Sequence, residues 1–188
     1  MAGQLRIIGG EWRGRRLAVG GAPGLRPTGD RTRETLFNWL QGLVPGARVL
    51  DCFAGTGALG LEALSRGAAK AVFIERSRRV ANPLRAHIAT LEADSRARVV
   101  VADALRYGGL QDGPFDIVFV DPPFRLGLQA PMLERLAEPG WLTARGVVYV
   151  ECDARTGFPP VPAGWIIHRE RTAGGVCFGL TGPDASRL

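Results

Sequence analysis

Asp121, Pro122, Pro123 and Phe124 close the stretch Phe115 to Phe124, FDIVFVDPPF, whose apolar run reads as a buried strand that must stop at Asp121. Neither proline carries an amide hydrogen and each fixes φ at about −65°, so the pair cannot continue a central strand and stiffens the backbone directly after the carboxylate. An acceptor and a flat aromatic face then stand side by side, which suits a planar amine: the carboxylate takes its N–H bonds and the ring stacks on its plane. The plain alternative is a strand end with a prolyl turn and a core phenylalanine.

A second group is Asp51, Phe53, Ala54, Gly55, Thr56 and Gly57, followed by Gly60 and, 20 residues beyond Gly55, by Glu75. The glycines spell G-x-G-x-x-G, the fingerprint of a dinucleotide site, in which a helix N-terminus would take a pyrophosphate and Glu75 a ribose. A nicotinamide oxidoreductase is therefore one reading, although it leaves Asp-Pro-Pro-Phe without a role. Two carboxylates favour another. Asp51 precedes the glycines, where it attracts an ammonium better than a diphosphate, and Asp103, with Ala104 beside it, adds a further acid. A ligand with an amino-acid head, a ribose and an adenine but no phosphate matches this set, and S-adenosylmethionine is such a ligand.

The elements that must position these residues alternate strictly from Ala47 onward. Strands are expected at Arg48 to Cys52, Ala71 to Glu75, Arg98 to Ala102, Asp116 to Val120 and Val147 to Glu151. Helices are expected at Ala58 to Arg66, around Leu128 to Leu136, and between the second and third strands. In that last helix Val80, Leu84, Ile88 and Leu91 keep helical spacing, with Asn82 expected as cap and Pro83 at the first helical position. Trp165 to Glu170 and Val176 to Leu180, joined through Thr172 to Gly175, read as an antiparallel pair. The class is α/β, a mostly parallel sheet covered on both faces. In such sheets ligands gather outside the carboxyl ends of the strands, and Asp51, Glu75, Asp103 and Asp121 all fall there.

Ahead of this alternation, Gln4 to Ile8 and Arg15 to Val19 read as strands of a hairpin with a wide basic tip, and Gly20 to Pro27 as a Gly/Pro-rich connection. Asp30 is expected to cap a helix whose Leu36, Leu40 and Leu43 share a face with Phe37, ending by Gly42 to Gly46. The chain thus divides into an N-terminal hairpin extension and linker, 1–28, and an α/β domain, 29–188. Of a net charge of +6, residues 1–33 hold +5, with Arg6, Arg13, Arg15, Arg16, Arg26, Arg31 and Arg33 against Glu11 and Asp30. Such clustering is the footprint of a polyanion partner. Trp12 among the arginines can stack on an unpaired base or pack back over the small sheet. Almost every basic residue is arginine, Lys70 being the one lysine, a bias that genome composition alone could produce.

At 188 residues the chain is long enough for one domain with a substantial core. No apolar run approaches the roughly 18 residues of a membrane span and the N-terminus lacks a signal-peptide core, so a cytoplasmic monomer with no membrane partner is expected. Cys52, Cys152 and Cys177 are widely spaced without a CxxC pair and read as buried free thiols. His87 and His168 have no ligand-like spacing and read as structural; no metal is called for.

The order Asp51-x-x-x-Gly55-x-Gly57, Glu75, Asp103, Asp121-Pro122-Pro123-Phe124 resembles the Rossmann-like class I S-adenosylmethionine-dependent methyltransferases that act on exocyclic amines. More narrowly, RIIGGEWRGRRL, LRPTGDRTRETLFNWL, DCFAGTGALGLEALSRGA, FVDPPF and the closing strands resemble the bacterial 16S ribosomal RNA guanine-N2 methyltransferases that modify the helix-31 loop, over residues 5–181. The resemblance implies a seven-stranded sheet with a reversed last strand, S-adenosylmethionine as methyl donor with S-adenosylhomocysteine as product, and 16S ribosomal RNA or an assembling small subunit as partner. It implies that Asp51, Phe53, Ala54, Gly55, Thr56, Gly57, Glu75, Asp103 and Ala104 bind the cofactor. Asp121, Pro122, Pro123 and Phe124 would hold the base, and the N-terminal arginines with Trp12 the RNA. Another RNA guanine, a DNA amine, a protein glutamine, or RNA binding without catalysis as an assembly factor remain alternatives to that target.

Overall fold

A computed structural model describes residues 3–19 and 29–184. Its centre is a seven-stranded sheet built from β3 (Arg48–Asp51), β4 (Lys70–Glu75), β5 (Ala97–Val101), β6 (Phe115–Val120), β7 (Leu142–Asp153), β8 (Trp165–Ala173) and β9 (Val176–Pro183). Their spatial order is β5-β4-β3-β6-β7-β9-β8. The first five of these strands in sequence run parallel, and β9 lies antiparallel between β7 and β8. From β3 the chain works outward to β5 and then returns to β6 on the other side of β3, so the switch point of the sheet lies between the strands that end in Asp51 and Asp121.

The run IVFV in β6 is apolar throughout because both of its faces are covered. Ile117 and Phe119 face a core with Val49, Phe73, Tyr149 and Phe178 of the sheet and with α1 (Asp30–Trp39), α2 (Ala58–Ser65) and α3 (Arg78–Thr90). Val118 and Val120 face the second core, with Leu50, Val72, Ile74, Val148 and Val150 and with Met132, Leu133 and Leu136 of α4 (Gln129–Leu136). Each fully buried Leu, Ile, Val or Phe contributes about 1.5–3 kcal/mol. All eight residues of α2 are buried, so this short helix is held by packing rather than by its own propensity. The three cysteines are buried free thiols, and among the described residues no helix is long and apolar enough to cross a membrane.

The N-terminal strands form a separate antiparallel pair, β1 (Gly3–Arg6) and β2 (Arg16–Val19). Leu5, Ile7, Trp12 and Leu17 belong to the same buried cluster as α1 and α2. Its connecting loop is tied to α2 by polar contacts: the amides of Ile8 and Gly9 donate to the two oxygens of Glu62 at 2.8 Å each, and the Trp12 amide donates to Ser65 Oγ at 2.9 Å. Glu62 is 0 % exposed and also accepts from Arg66 Nε at 2.7 Å, with Arg33 Nη1 at 3.8 Å.

Several expectations are corrected here. Trp12 is only 4 % exposed and lies under the Arg96 guanidinium, 5.2 Å from its ring, so it packs back over the sheet and offers no face to a base. Arg33 is 2 % exposed; it donates to Asp30 Oδ1 at 2.6 Å and to the Arg6 carbonyl at 3.0 Å, which removes it from the surface that could meet RNA. Asp30 is the first residue of α1 rather than its cap, because its carboxylate is taken by Arg6 and Arg33; Gly29 precedes the helix. Leu43 lies beyond the end of α1 and is 46 % exposed. Pro83 sits inside α3, which begins five residues earlier than expected. It offers no amide to the carbonyl one turn back, but the packing of Ala81, Leu84 and Ile88 on the sheet outweighs an interior-proline cost of about 3 kcal/mol.

Candidate active site

One cavity of about 710 Å³ opens at the carboxyl ends of the parallel strands. Its wall contains Asp51, Phe53, Ala54, Gly55 and Thr56 after β3, Glu75 at the end of β4, Asp103 and Ala104 after β5, and Asp121, Pro122, Pro123 and Phe124 after β6. Every residue expected to touch cofactor or target base except Gly57 therefore lines a single space. Gly57 lies just behind it, at φ +81°, and precedes α2.

The Gly55–Gly60 loop is shaped by two demands. Gly55 and Gly57 both adopt positive φ, which lets the chain turn from β3 into α2 with its backbone facing the cavity. Gly60 answers a different need: a Cβ there would stand 2.2 Å from the Phe73 ring, so α2 can lie this close to β4 only without a side chain at that point. The third glycine is thus a packing residue, the part it also plays in a dinucleotide fingerprint, so the spelling alone does not decide between the two kinds of ligand.

Asp51 is buried, and one oxygen accepts the Gly60 amide at 3.1 Å. Loss of hydration raises its carboxyl to a pKa of about 7, and the nearby Glu75 charge pushes the same way against the hydrogen bonds from the Gly60 and Phe53 amides. A cation entering the cavity beside it would reverse that shift. Glu75 accepts from the Gly55 amide at 3.0 Å and the Ser77 amide at 2.7 Å, which fixes its carboxylate across the mouth of the glycine loop. Asp103 caps the short 3-10 turn Ala104–Arg106 through a 2.9 Å bond from the Leu105 amide to Oδ1, leaving Oδ2 for a ligand. A set of three acids and a loop of backbone in one cavity suits an ammonium, a pair of hydroxyls and an exocyclic amine better than a phosphate chain.

Beside this set, Pro122 is buried, Asp121 and Phe124 are half-buried, and Pro123 is exposed. Phe124 opens a second short 3-10 turn, Phe124–Leu126, that ends at Gly127 with φ +59°. The same wall holds residues that sequence reasoning did not assign: Gly29 and Thr32 at the start of α1, Arg76, Arg125, Glu151, and Ala173 with Gly174 at the β8–β9 turn. Arg76 and Arg125 each directly follow an assigned residue, a signal that was available. Glu151 was expected at a strand end and instead lies within β7, two residues before its last, and the chain order alone does not reveal that β7 lies next to β6 and brings this carboxylate to the same space.

Of the arginines expected at the RNA, Arg6, Arg13, Arg15, Arg16 and Arg31 are exposed, Arg6 in a 2.9 Å ion pair with Asp30. Arg26 lies outside the described residues. His87 is half-tucked against β2, its Nε2 3.0 Å from the Ala18 carbonyl, which agrees with a structural role.

A parallel sheet with β9 reversed, a switch-point cavity ringed by strand-end acids, and the Asp-Pro-Pro-Phe turn that lines it after the fourth parallel strand mark a Rossmann-like methyltransferase. Comparison with known proteins makes this specific. The family model described as "Conserved hypothetical protein 95" matches residues 5–181, and the chain belongs to that family. Ribosomal RNA small subunit methyltransferase D of Escherichia coli strain K12 is 53% identical over 179 residues, covering 95% of this chain and 90% of the relative. The protein of the same name from Haemophilus influenzae is 43% identical over 181 residues, covering 95% and 93%. A solved structure of the Escherichia coli protein yhhF superposes with a TM-score of 0.86 at 50% identity, covering 97% of this chain and 99% of that one.

Proposed function

We propose that this enzyme transfers a methyl group from S-adenosylmethionine to the exocyclic N2 of a loop guanine in 16S ribosomal RNA, acting as a cytoplasmic monomer on the small ribosomal subunit or its RNA. The observation that carries the reading is that the Asp121–Phe124 turn and the acids Asp51, Glu75 and Asp103 share one cavity. The two halves of a transfer reaction are thereby brought together.

The cofactor supplies a methyl on a sulfonium carbon, already activated for displacement. Asp51 meets the ammonium of the amino-acid end, Glu75 takes the ribose hydroxyls and Asp103 the adenine amine, with Ala104 against the ring and the Gly55-Thr56-Gly57 backbone along the middle. Guanine N2 is a poor nucleophile because its lone pair is delocalised into the ring. Asp121 and the Pro122 carbonyl accept its two N–H bonds and hold the nitrogen with its lone pair toward the methyl. Phe124 stacks on the base, worth about 1–3 kcal/mol in comparable single-strand sites. The proton released from N2 passes to Asp121 or to water. Catalysis is then mostly positioning and fixed electrostatics.

An unpaired loop base costs less to extrude than one in a duplex. Residues 1–28 form the RNA-facing extension to the catalytic domain at 29–188, with Arg6, Arg13, Arg15, Arg16 and Arg31 on the phosphates around the base. Asp121→Ala tests the catalytic assignment. It is expected to bind S-adenosylhomocysteine as the parent does by calorimetry while its turnover falls by about 10²–10³; near-normal turnover would remove Asp121 from its role.

A further inference from the structure

We propose that Glu151 is a specificity-determining residue that accepts the ring N1–H of the target guanine beside the N2 amine held at Asp121; this rests on the guanine-N2 reading above. Val120 of β6 pairs in parallel register with Val150 of β7. The next residue on each side is a carboxylate: Asp121 directly follows the end of β6, Glu151 lies beside it within β7, which runs on to Asp153, and both line the cavity. Adjacent strands lie about 4.8 Å apart, close enough for two such side chains to converge on neighbouring atoms of one base.

Glu151 is held as a preorganised acceptor. It is 7 % exposed, and the Tyr149 hydroxyl donates to its Oε2 at 2.9 Å. Its backbone carbonyl accepts from Gln129 Nε2 at 3.2 Å, and the residue pairs with Phe178 on β9. Strand, hydroxyl and amide together fix where the carboxylate points. Guanine presents N1–H and N2–H as adjacent donors on one edge, matching two adjacent acceptors. Adenine carries a lone pair at N1, which would face a carboxylate without a proton between them. A site built to receive a donor rejects an analogue lacking it far more strongly than a merely apolar pocket could.

The test uses 16S RNA assembled by ligation with either guanine or 2,6-diaminopurine at the methylated position. The analogue keeps the N2 amine but exchanges the N1 proton for a lone pair. The parent enzyme is expected to favour guanine by about 100-fold or more in kcat/KM. Glu151→Gln can turn an amide N–H toward the N1 lone pair, and the preference should narrow by about tenfold or more, with S-adenosylhomocysteine affinity by calorimetry kept within about threefold. Comparing preferences between the two enzymes cancels the change at position 6 of the base.

Tyr149→Phe, which removes only the hydroxyl on Glu151, should narrow the preference by about threefold and serves if Glu151→Gln fails to fold. Equal losses on both substrates, with the preference unchanged, would overturn the role of Glu151 and leave the guanine-N2 reading standing. A parent enzyme that methylates no guanine N2 at all would instead remove the reading beneath it.

Discussion

The carboxylates at the strand ends and the arginines of the N-terminal segment are both charge clusters in the sequence, yet the fold treats them differently. Asp51, Glu75, Asp103 and Asp121 all reach one cavity, whereas the N-terminal arginines are divided: Arg13, Arg15, Arg16 and Arg31 stay exposed and Arg33 turns inward to Asp30 and Glu62. The acids are placed by topology, since a parallel sheet puts every strand's carboxyl end on one rim. The arginines are sorted by individual contacts: Arg33 is drawn in by Asp30, the Arg6 carbonyl and Glu62, whereas Arg6 pairs with Asp30 at the surface. A cluster on a repeating element can be trusted as a site; one on a docked extension must be sorted residue by residue.

That contrast can be broken or sharpened by experiment. The largest effect is expected at Glu62, which neutralises the buried Arg33 and receives the Ile8 and Gly9 amides. Glu62→Ala should cost about 2–5 kcal/mol in chemical denaturation, because it leaves the Ile8 and Gly9 amides without their acceptor and releases the hairpin, while Arg33 keeps its pair with Asp30. A loss below about 1 kcal/mol would mean that the N-terminal segment is not anchored as described.

Replacing Arg13, Arg15 and Arg16 with serine comes next. If about five arginines contact phosphates, the log-log salt slope of RNA binding is near −3.5, and the triple variant should flatten it by about 2. An unchanged slope would place the RNA elsewhere.

On the acidic side, affinity should follow the ionisation of Asp51, whose carboxyl pKa is pushed up to about 7 by burial. An ammonium favours the charged form, so ligand binding expels the proton. S-adenosylhomocysteine affinity is expected to rise by up to about tenfold per pH unit as pH climbs toward 7 and then level, falling again only at alkaline pH where the ligand amine loses its own proton. The same raised pKa acts oppositely on the free protein: the unfolded carboxyl titrates near its model value of 3.8, so stability is lost progressively as pH rises from there to about 7. Flat affinity from pH 5.5 to 7 would contradict the ammonium contact. The smallest effect is reserved for Trp12→Phe, which should leave RNA affinity within about twofold because the ring lies in the core; a loss of tenfold or more would restore it to the RNA surface.

Much of the sheet was legible because β3, β4 and β6 are short apolar runs bounded by glycine, proline or acids, and the strand-end rule then located the site without any side-chain geometry. Helix boundaries were less so. The local signal at Asn82-Pro83 marks a start, but α3 begins at Arg78 and buries Ala81 ahead of that point together with Leu84 and Ile88. Trp12 and Arg33 depart from expectation for a related cause: Arg96, which covers Trp12, lies tens of residues away, and although Asp30 beside Arg33 is a local partner, the burial of Arg33 rests on the distant Arg6 carbonyl and Glu62. Glu151 escaped notice because its significance depends on which strand lies beside β6.

The central claim is that the cavity joins a methyl donor to a guanine N2. Incubation with isotopically labelled S-adenosylmethionine and either naked 16S RNA or small subunits lacking the modification, followed by nucleoside digestion and mass spectrometry, tests it directly. The expected product is labelled N2-methylguanosine at a single loop position, formed about 10²–10³ times more slowly with Asp121→Ala. Label in another nucleoside, or a parent enzyme that binds cofactor and RNA yet transfers nothing to either substrate, would contradict the account.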